Sequence, residues 1–125
     1  MTKEDKELLL KDLCARLPYG VKISHRGDVH QIQCISPSGE FKNYDYDAWF
    51  PIESCKPYLR PMSSMTEEEK RIYREIQDYF IDDSRVKHYF ECIASLDYLN
   101  SIHVDFRGLI PLGLALEAPD GMYHD

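Results

Sequence analysis

The sequence has no long apolar run. The most apolar stretch, residues 108–118, is interrupted by Pro111 and Gly113 and is much shorter than the roughly 20 residues that span a bilayer. The charged start of the chain is followed by only three consecutive leucines, whereas a secretory signal needs a longer apolar core and a small-residue cleavage site. We therefore expect a soluble, cytoplasmic protein that does not contact a membrane.

The sequence also lacks the spaced motifs that hold metals, phosphates or nucleophiles. Its four cysteines are widely separated, and no two have the C-x-x-C spacing of a zinc or thioredoxin-type site. The six glycines are scattered singly, so there is no glycine-rich phosphate loop, and no G-x-S-x-G sequence marks a nucleophilic serine. We predict no disulfide, no metal and no cofactor, with thiols that act as small buried apolar groups.

Positive charge is scarce in the second half of the chain. Residues 1–62 are balanced, so residues 63–125 carry the entire net charge of −7. An acidic surface repels phosphate backbones, which argues against direct nucleic-acid binding. The apolar fraction of 43% and the charged fraction of 30% are those of an ordinary globular protein.

The pattern of residues predicts a single α+β domain over residues 1–125. In residues 1–50, a helix capped by Thr2 is followed by three short strands with glycine-containing turns, which predict a three-stranded antiparallel meander. The predicted apolar stripe of the helix consists of Leu9, Leu10, Leu13, Cys14 and Leu17.

The remaining residues are interpreted as a connector followed by a helical half. Residues 51–65 are proline-rich and predict an extended connector outside the centre of the sheet, because proline lacks the backbone donor. In residues 66–125, Thr66 and Glu69 form a capping box, and the apolar residues that follow recur at helical spacing. We expect this helical half to pack on the sheet.

Two sets of residues could carry metal or nucleophile chemistry. Asp45 and Asp47 have the D-x-D spacing of a cation site, but aromatic residues follow where an EF-hand loop would continue, so a turn with solvated carboxylates is favoured. His88 and Cys92 are four residues apart on a predicted helix and share a face, which leaves open an enzyme that uses them. A partly buried histidine and thiol is the alternative.

An aromatic cluster and a charged pair are the candidate contact residues. Tyr44, Tyr46, Trp49 and Phe50, with Tyr58 nearby, form an aromatic cluster of the types that dominate binding hot spots, but the favoured interpretation is that these rings cap the core between the two halves of the chain. Asp105 and Arg107 alternate with an apolar residue. They could present a polar pair to a partner, or Arg107 could tie down a carbonyl or carboxylate of the helical half, and the structural role is favoured.

Several stretches of the chain resemble a family of small uncharacterised proteins of gut bacteria and of their phages or mobile elements. The resemblance lies in residues 8–21 (LLLKDLCARLPYGV), 56–66 (KPYLRPMSSMT), 97–100 (DYLN), 105–110 (DFRGLI) and 113–115 (GLA). It spans most of the chain and implies a genetic context, without an activity or site residues.

The sequence leaves three functional hypotheses. The favoured one is a non-enzymatic protein-interaction or accessory module of phage or mobile-element type, with an unidentified protein partner. The second is an acidic nucleic-acid mimic that inhibits a DNA-binding host protein through the acidic residues of 67–83. The third is a small enzyme that uses Cys92 and His88.

Overall fold

The described chain consists of three α-helices and six short strands. A computed structural model describes the backbone of residues 1–79 and 85–123 and the side chains of residues 1–78 and 93–123. The helices are α1 (Lys3–Arg16), α2 (Glu67–Tyr79) and α3 (Arg85–Ser101). The strands are β1 (Lys22–His25), β2 (Asp28–Ile35), β3 (Glu40–Asn43), β4 (Phe50–Pro51), β5 (Lys56–Leu59) and β6 (Leu116–Glu117). Of the helices in these described residues, none combines the length and the apolar character that crossing a lipid bilayer requires.

The strands form one mixed sheet in the order β4-β3-β2-β1-β5-β6. All neighbours are antiparallel except β5 and β6, which are parallel. The α+β class and the N-terminal helix are therefore confirmed. The prediction of a three-stranded antiparallel meander is wrong, because β4 extends the first three strands on one side and β5 and β6 extend them on the other.

The turn between β1 and β2 places His25 at one end of the sheet. Arg26 and Gly27 have φ values of 56° and 83°, the left-handed pair that a two-residue type I′ hairpin requires. His25 and Asp28 pair directly across this turn. The predicted turn is confirmed, and it leaves His25 beside the end of the sheet where β3 and β4 meet.

Strand β5 corrects the prediction that residues 51–65 form a connector outside the centre of the sheet. Pro57 pairs with Ile23 of β1, while the next two residues pair with β6, so β5 is an interior strand. The carbonyl of Leu59 accepts from Ala118 N–H on the β6 side. The backbone N–H and C=O groups of successive residues point to opposite edges of a strand, so Pro57, two residues before Leu59, also directs its nitrogen toward the β6 side. At Pro57 the pairing with β6 has not yet begun, so no neighbouring strand needs a hydrogen bond from this nitrogen. An interior strand therefore tolerates proline here.

Helix α1 begins as predicted but buries a different face. Thr2 Oγ1 accepts from Asp5 N–H at 3.0 Å, which confirms the N-cap. Leu9 and Leu13 are fully buried in the main core, which they share with the sheet. Cys14, assigned to the apolar stripe and expected to be buried, is exposed. Its place in the interior is taken by charged residues of the same helix.

Helices α2 and α3 enclose a second, smaller core. The predicted capping box is confirmed: Glu69 N–H donates to Thr66 Oγ1 at 3.1 Å, and Thr66 N–H donates to Glu69 Oε1 at 2.9 Å. Met65, Leu99 and Val104 are buried together, with partly buried apolar residues around them. This cluster joins α3 to the segment that follows it.

The segment after α3 corrects the prediction that residues 66–125 are a helical half. Past Ser101 the chain runs back along the sheet, where Arg60 forms a parallel bridge with Val104, and then adds β6 at the edge. The hydroxyl of Tyr123 lies in the gap between β1 and β5: it accepts from Lys22 N–H at 2.9 Å and donates to the Tyr58 carbonyl at 2.7 Å. The last described residues thus complete the sheet.

Candidate functional site

The two faces of the sheet differ in their exposure to solvent. On β2, the buried residues His30 and Ile32 alternate with the exposed residues Val29, Gln31 and Gln33. The first set faces the core that α1 shares, and we call this the inner face. The outer face is open to solvent at the end of the sheet formed by β2, β3 and β4.

The predicted aromatic cluster divides between the core and this open end of the sheet. Phe50 is 9% exposed and belongs to the main core. In contrast, the exposed fractions of Tyr44, Tyr46 and Trp49 are 64%, 41% and 47%. We call these three residues the aromatic ridge. Tyr58 lies on β5, on the far side of β1, and is not brought together with them.

The loop that carries the ridge is held by one buried side chain. Asn43 is 1% exposed, and its Oδ1 accepts from the backbone N–H groups of Asp45 at 2.9 Å and Tyr46 at 3.1 Å. Such an Asx turn replaces backbone hydrogen bonds that a loop would otherwise lose. The ridge therefore projects from an ordered turn at the end of β3.

The D-x-D carboxylates turn to separate protein partners. Asp45 Oδ2 lies 2.5 Å from His30 Nδ1, and Asp47 Oδ1 accepts from Lys42 Nζ at 2.9 Å. Within the described residues, no group of three or more His, Cys, Asp or Glu side chains is placed to hold a metal ion. The geometry of this loop thus serves to fasten it to β2 and β3.

Lys42 links the charge and the aromatic surface of the ridge. Its Nζ lies 5.6 Å from the centroid of the Trp49 ring and donates to Asp47. The hydrogen bond and the opposite charges raise the pKa of Lys42 and lower the pKa of Asp47. One side of the indole is therefore supported by a cation, while almost half of the side chain remains available for contact.

Asp105 and Arg107 have partners inside the protein. Asp105 is 7% exposed, and its carboxylate accepts from the N–H groups of Leu109 at 2.8 Å and Ile110 at 2.9 Å. Arg107 Nη1 donates to Asp12 Oδ1 at 2.6 Å. Arg107 therefore holds a carboxylate on α1 and also the side-chain carbonyl of Asn100 on α3, so the expected bond to a carbonyl of the helical half is present. Both residues lock the C-terminal segment in place.

A fully buried ion pair on α1 was missed by the sequence analysis. Asp12 and Arg16 are both 0% exposed, with Arg16 Nε donating to Asp12 Oδ2 at 3.0 Å. Arg16 Nη2 donates to the Val104 carbonyl at 2.7 Å, and Arg107 adds a bond to Asn100 Oδ1 at 3.2 Å. The i,i+4 spacing was the only sequence signal, and such pairs usually lie on the surface.

A polar cleft of about 480 Å³ opens on the other side of the molecule, near the end of α3. Its lining includes Tyr19, Lys22, Arg60, Glu69, His103 and Tyr123. Its two cations already have partners: Arg60 donates twice to Glu69, at 2.7 and 2.6 Å, and Lys22 Nζ donates to the Met122 carbonyl at 2.9 Å. The Arg60 pair lowers the pKa of Glu69 to about 2. Neither Arg60 nor Lys22 therefore offers a free positive charge to a ligand in the cleft.

His103 and Tyr123 form the inner wall of the cleft and are poorly suited to proton transfer. Their rings stack with centroids 3.8 Å apart, and His103 Nε2 bonds to the Tyr19 carbonyl at 3.0 Å. Burial, with Arg16 nearby, lowers the pKa of His103 to about 4, and burial raises the pKa of Tyr123 to about 12. Both side chains are therefore neutral at physiological pH and serve the packing of the tail.

Two of the described thiols, Cys14 and Cys55, are poorly suited to act as nucleophiles. Burial raises the pKa of Cys55 to about 12, and it also raises the pKa of the exposed Cys14. A thiol with a raised pKa carries little of the reactive thiolate. The candidate pair His88 and Cys92 lies outside the described side chains.

Comparisons with protein-family models, with curated proteins and with solved structures gave no match. The aromatic ridge differs from the cleft in one respect: three large aromatic side chains are exposed together on one short loop, beside the buried rings of Phe41 and Phe50.

Proposed function

We propose that this protein is a non-enzymatic protein-interaction module, an accessory protein of phage or mobile-element type, that binds a partner protein through the aromatic ridge. The observation that carries the proposal is the exposure of Tyr44, Tyr46 and Trp49 on one short loop. Tyrosine and tryptophan bury large areas on binding and keep a polar group for hydrogen bonding, so they are enriched in hot spots. The single tryptophan of the chain lies in this surface.

The order of the ridge loop also favours binding. Asn43 fixes the loop backbone through two hydrogen bonds, and Lys42 supports the Trp49 ring. A surface that is ordered before it meets its partner loses less conformational entropy on association. The ridge therefore has the rigidity that an anchor for a partner needs.

The charges around the ridge favour a basic partner. Residues 42–49 carry two carboxylates against one cation, Lys42, which pairs with Asp47, so the negative charge that remains is that of Asp45, whose side chain is 61% exposed, and the whole chain has a net charge of −7. Complementary charge accelerates association and suppresses binding to acidic surfaces such as nucleic acid. We expect a protein with a basic surface around an apolar contact region.

The alternative of an acidic nucleic-acid mimic finds less support. The glutamates of α2 are largely paired with cations, in the pairs Glu67–Lys70, Glu68–Arg71, Glu75–Arg71 and Glu69–Arg60. Pairing neutralises the negative face that would imitate a row of phosphates. Asp82 and Asp83, which belong to the same proposed acidic run, lie outside the described residues.

Site-specific crosslinking tests the proposal. In one variant of the full chain, expressed in its native host, a photo-reactive residue replaces Tyr44. In the matched control the same residue replaces Tyr19, which is 40% exposed and precedes β1. We expect one crosslinked partner from position 44, competed by unlabelled protein and absent from position 19. With the purified partner, Trp49→Ala should weaken binding about 30-fold, as loss of a hot-spot residue does.

Two results would contradict the proposal. One is equal crosslinking from positions 44 and 19, which would indicate random contact. The other is a Trp49→Ala variant that binds the captured partner as tightly as the unmodified chain. Association that slows as the salt concentration rises would support the basic character of the partner, and association independent of salt would contradict it.

A further inference from the structure

Two buried histidines lie beneath the aromatic ridge. His25 and His30 are 3% and 7% exposed on the inner face, with ring centroids 6.2 Å apart. The ring of His30 meets that of Tyr46 at 5.6 Å, and the ring of His25 meets that of Phe50 at 4.5 Å. Each imidazole thus supports one end of the loop that carries the ridge.

The hydrogen bonding of this histidine pair is incomplete. Because the Asp45 carboxylate accepts, His30 Nδ1 carries the proton and Nε2 keeps a lone pair when the ring is neutral. His30 Nε2 and His25 Nδ1 are both buried and have no hydrogen-bond partner among the described residues. A proton added at either nitrogen creates a buried N–H without an acceptor, and a buried charge, and both are costly.

The charges on the hairpin side oppose protonation of His25. The guanidinium of Arg26 lies 4.7 Å from the centroid of the Phe50 ring, which in turn packs on His25. Asp28 pairs with His25 across the turn through the backbone, and its side chain is exposed. Burial, the charge of Arg26 and the neighbouring His30 lower the pKa of His25.

The charges on the loop side act on His30 alone. Asp45 Oδ2 contacts Nδ1 of the His30 ring. Lys42 and Asp47 pair with each other beside Trp49, and β3 contributes the uncharged residues Phe41 and Asn43 to the inner face. The two histidines therefore differ: one has a carboxylate partner, and the other faces aromatic rings and a cation.

We propose that His25 and His30 form a proton-sensitive lock, which holds the ridge in its binding conformation while His25 is neutral and releases it in mildly acidic solution. The proton comes from the solvent and adds a second positive charge beside Arg26. Movement of Phe50 and Tyr46 away from the histidine rings admits water to the charged imidazole of His25, and this movement displaces the ridge. The lock rests on the proposed function of the ridge, but the movement can be observed without a partner.

The emission of Trp49, the only tryptophan, reports directly on the ridge. Between about pH 7.5 and pH 5, the range in which histidines titrate, we expect the emission maximum and the amide resonances of residues 44–49 to shift. Their midpoint should coincide with that of the His25 imidazole, while far-UV circular dichroism stays constant. His25→Phe, which places an apolar ring between Phe41 and Phe50, should abolish the shift. The control His103→Asn should leave its midpoint unchanged.

Other results would contradict either the lock or the proposed function. A shift that persists in His25→Phe, or that occurs only together with loss of helix signal, would overturn the lock. If His25→Phe does not fold, the test uses the nuclear magnetic resonances of the unmodified chain. The lock is then overturned if the pH midpoint of the His25 imidazole differs from that of the amide resonances of residues 44–49. A ridge that moves but binds no partner contradicts the proposed function alone. A partner bound equally tightly at both pH values contradicts the lock alone.

Discussion

Asp12 and Arg107 are 95 residues apart in the sequence and are joined by a hydrogen bond of 2.6 Å. Asp12 is fully buried, and it also holds the fully buried Arg16 on its own helix. Arg16 and Arg107 further contact the ring of Phe106, with guanidinium carbons 5.6 and 4.2 Å from its centroid. This network fastens α1 to the segment that follows α3.

Removing the shared carboxylate should destabilise the protein strongly. Asp12→Ala leaves Arg16 buried without its counter-ion, and breaking a buried ion pair typically costs about 3–5 kcal/mol. Urea denaturation of the variant measures the free energy of unfolding. Lys11→Ala, at the exposed neighbouring position, is the matched control and should change stability by less than about 0.5 kcal/mol. A loss below about 1 kcal/mol in Asp12→Ala would show that the pair is not buried as described.

The hydroxyl of Tyr123 should contribute to the stability of the sheet. Tyr123→Phe keeps the ring on His103 but leaves Lys22 N–H and the Tyr58 carbonyl without their partner. We expect a loss of about 1 kcal/mol, since the polar groups left unpaired are only partly buried. Thermal denaturation detects it, with Tyr19→Phe at an exposed position as control. Equal melting temperatures for the two variants would contradict this role of the tail.

His103 should make the protein less stable in acid. Its pKa is about 4 in the folded state, against about 6.5 in an unfolded chain, so folding favours the neutral ring. The stability that the neutral His103 ring contributes is therefore fully present above about pH 6.5. It falls by up to about 3 kcal/mol as the pH falls toward 4, and below that pH this group causes no further loss. Urea titrations at several pH values measure the slope.

The control variant for this slope follows from the backbone of His103. Its φ is 59°, in the left-handed region, which asparagine tolerates better than most residues. His103→Asn should therefore fold, with a smaller loss of stability between neutral pH and pH 4 than the unmodified chain shows. The same slope in both proteins would mean that other groups cause the acid sensitivity.

Substitutions in the ridge should separate binding from folding. Tyr44→Ala and Trp49→Ala remove exposed side chains and should change the free energy of unfolding by about 0.5 kcal/mol or less. Phe50→Ala, next in the chain but buried, should cost about 3–5 kcal/mol. Chemical denaturation compares the three. If Trp49→Ala were as damaging as Phe50→Ala, the indole would be part of the core and could not serve as an anchor.

Sequence reasoning succeeded where the physical cause is local. The caps at Thr2 and Thr66 and the turn at Arg26 and Gly27 depend on contacts between residues no more than three positions apart. It also named the residues of the ridge as candidate contact residues, because clustered tyrosine and tryptophan are informative by type, but it favoured a place in the core for them. It could not decide which of those rings is exposed, since Trp49 ends the loop and Phe50 begins β4, and only the position of that strand in the sheet turns the Phe50 ring into the core.

The sequence by itself therefore determined the α+β class, the starts of α1 and α2 and the hairpin turn of this protein. Only the tertiary structure decided that Pro57 lies in an interior strand, that Arg16 is buried and that Tyr123 closes the gap between β1 and β5. The physical reason is the distance along the chain between partners. Arg16 needs a carbonyl 88 residues away and Lys22 a hydroxyl 101 residues away, and no periodicity or capping pattern encodes such a pairing.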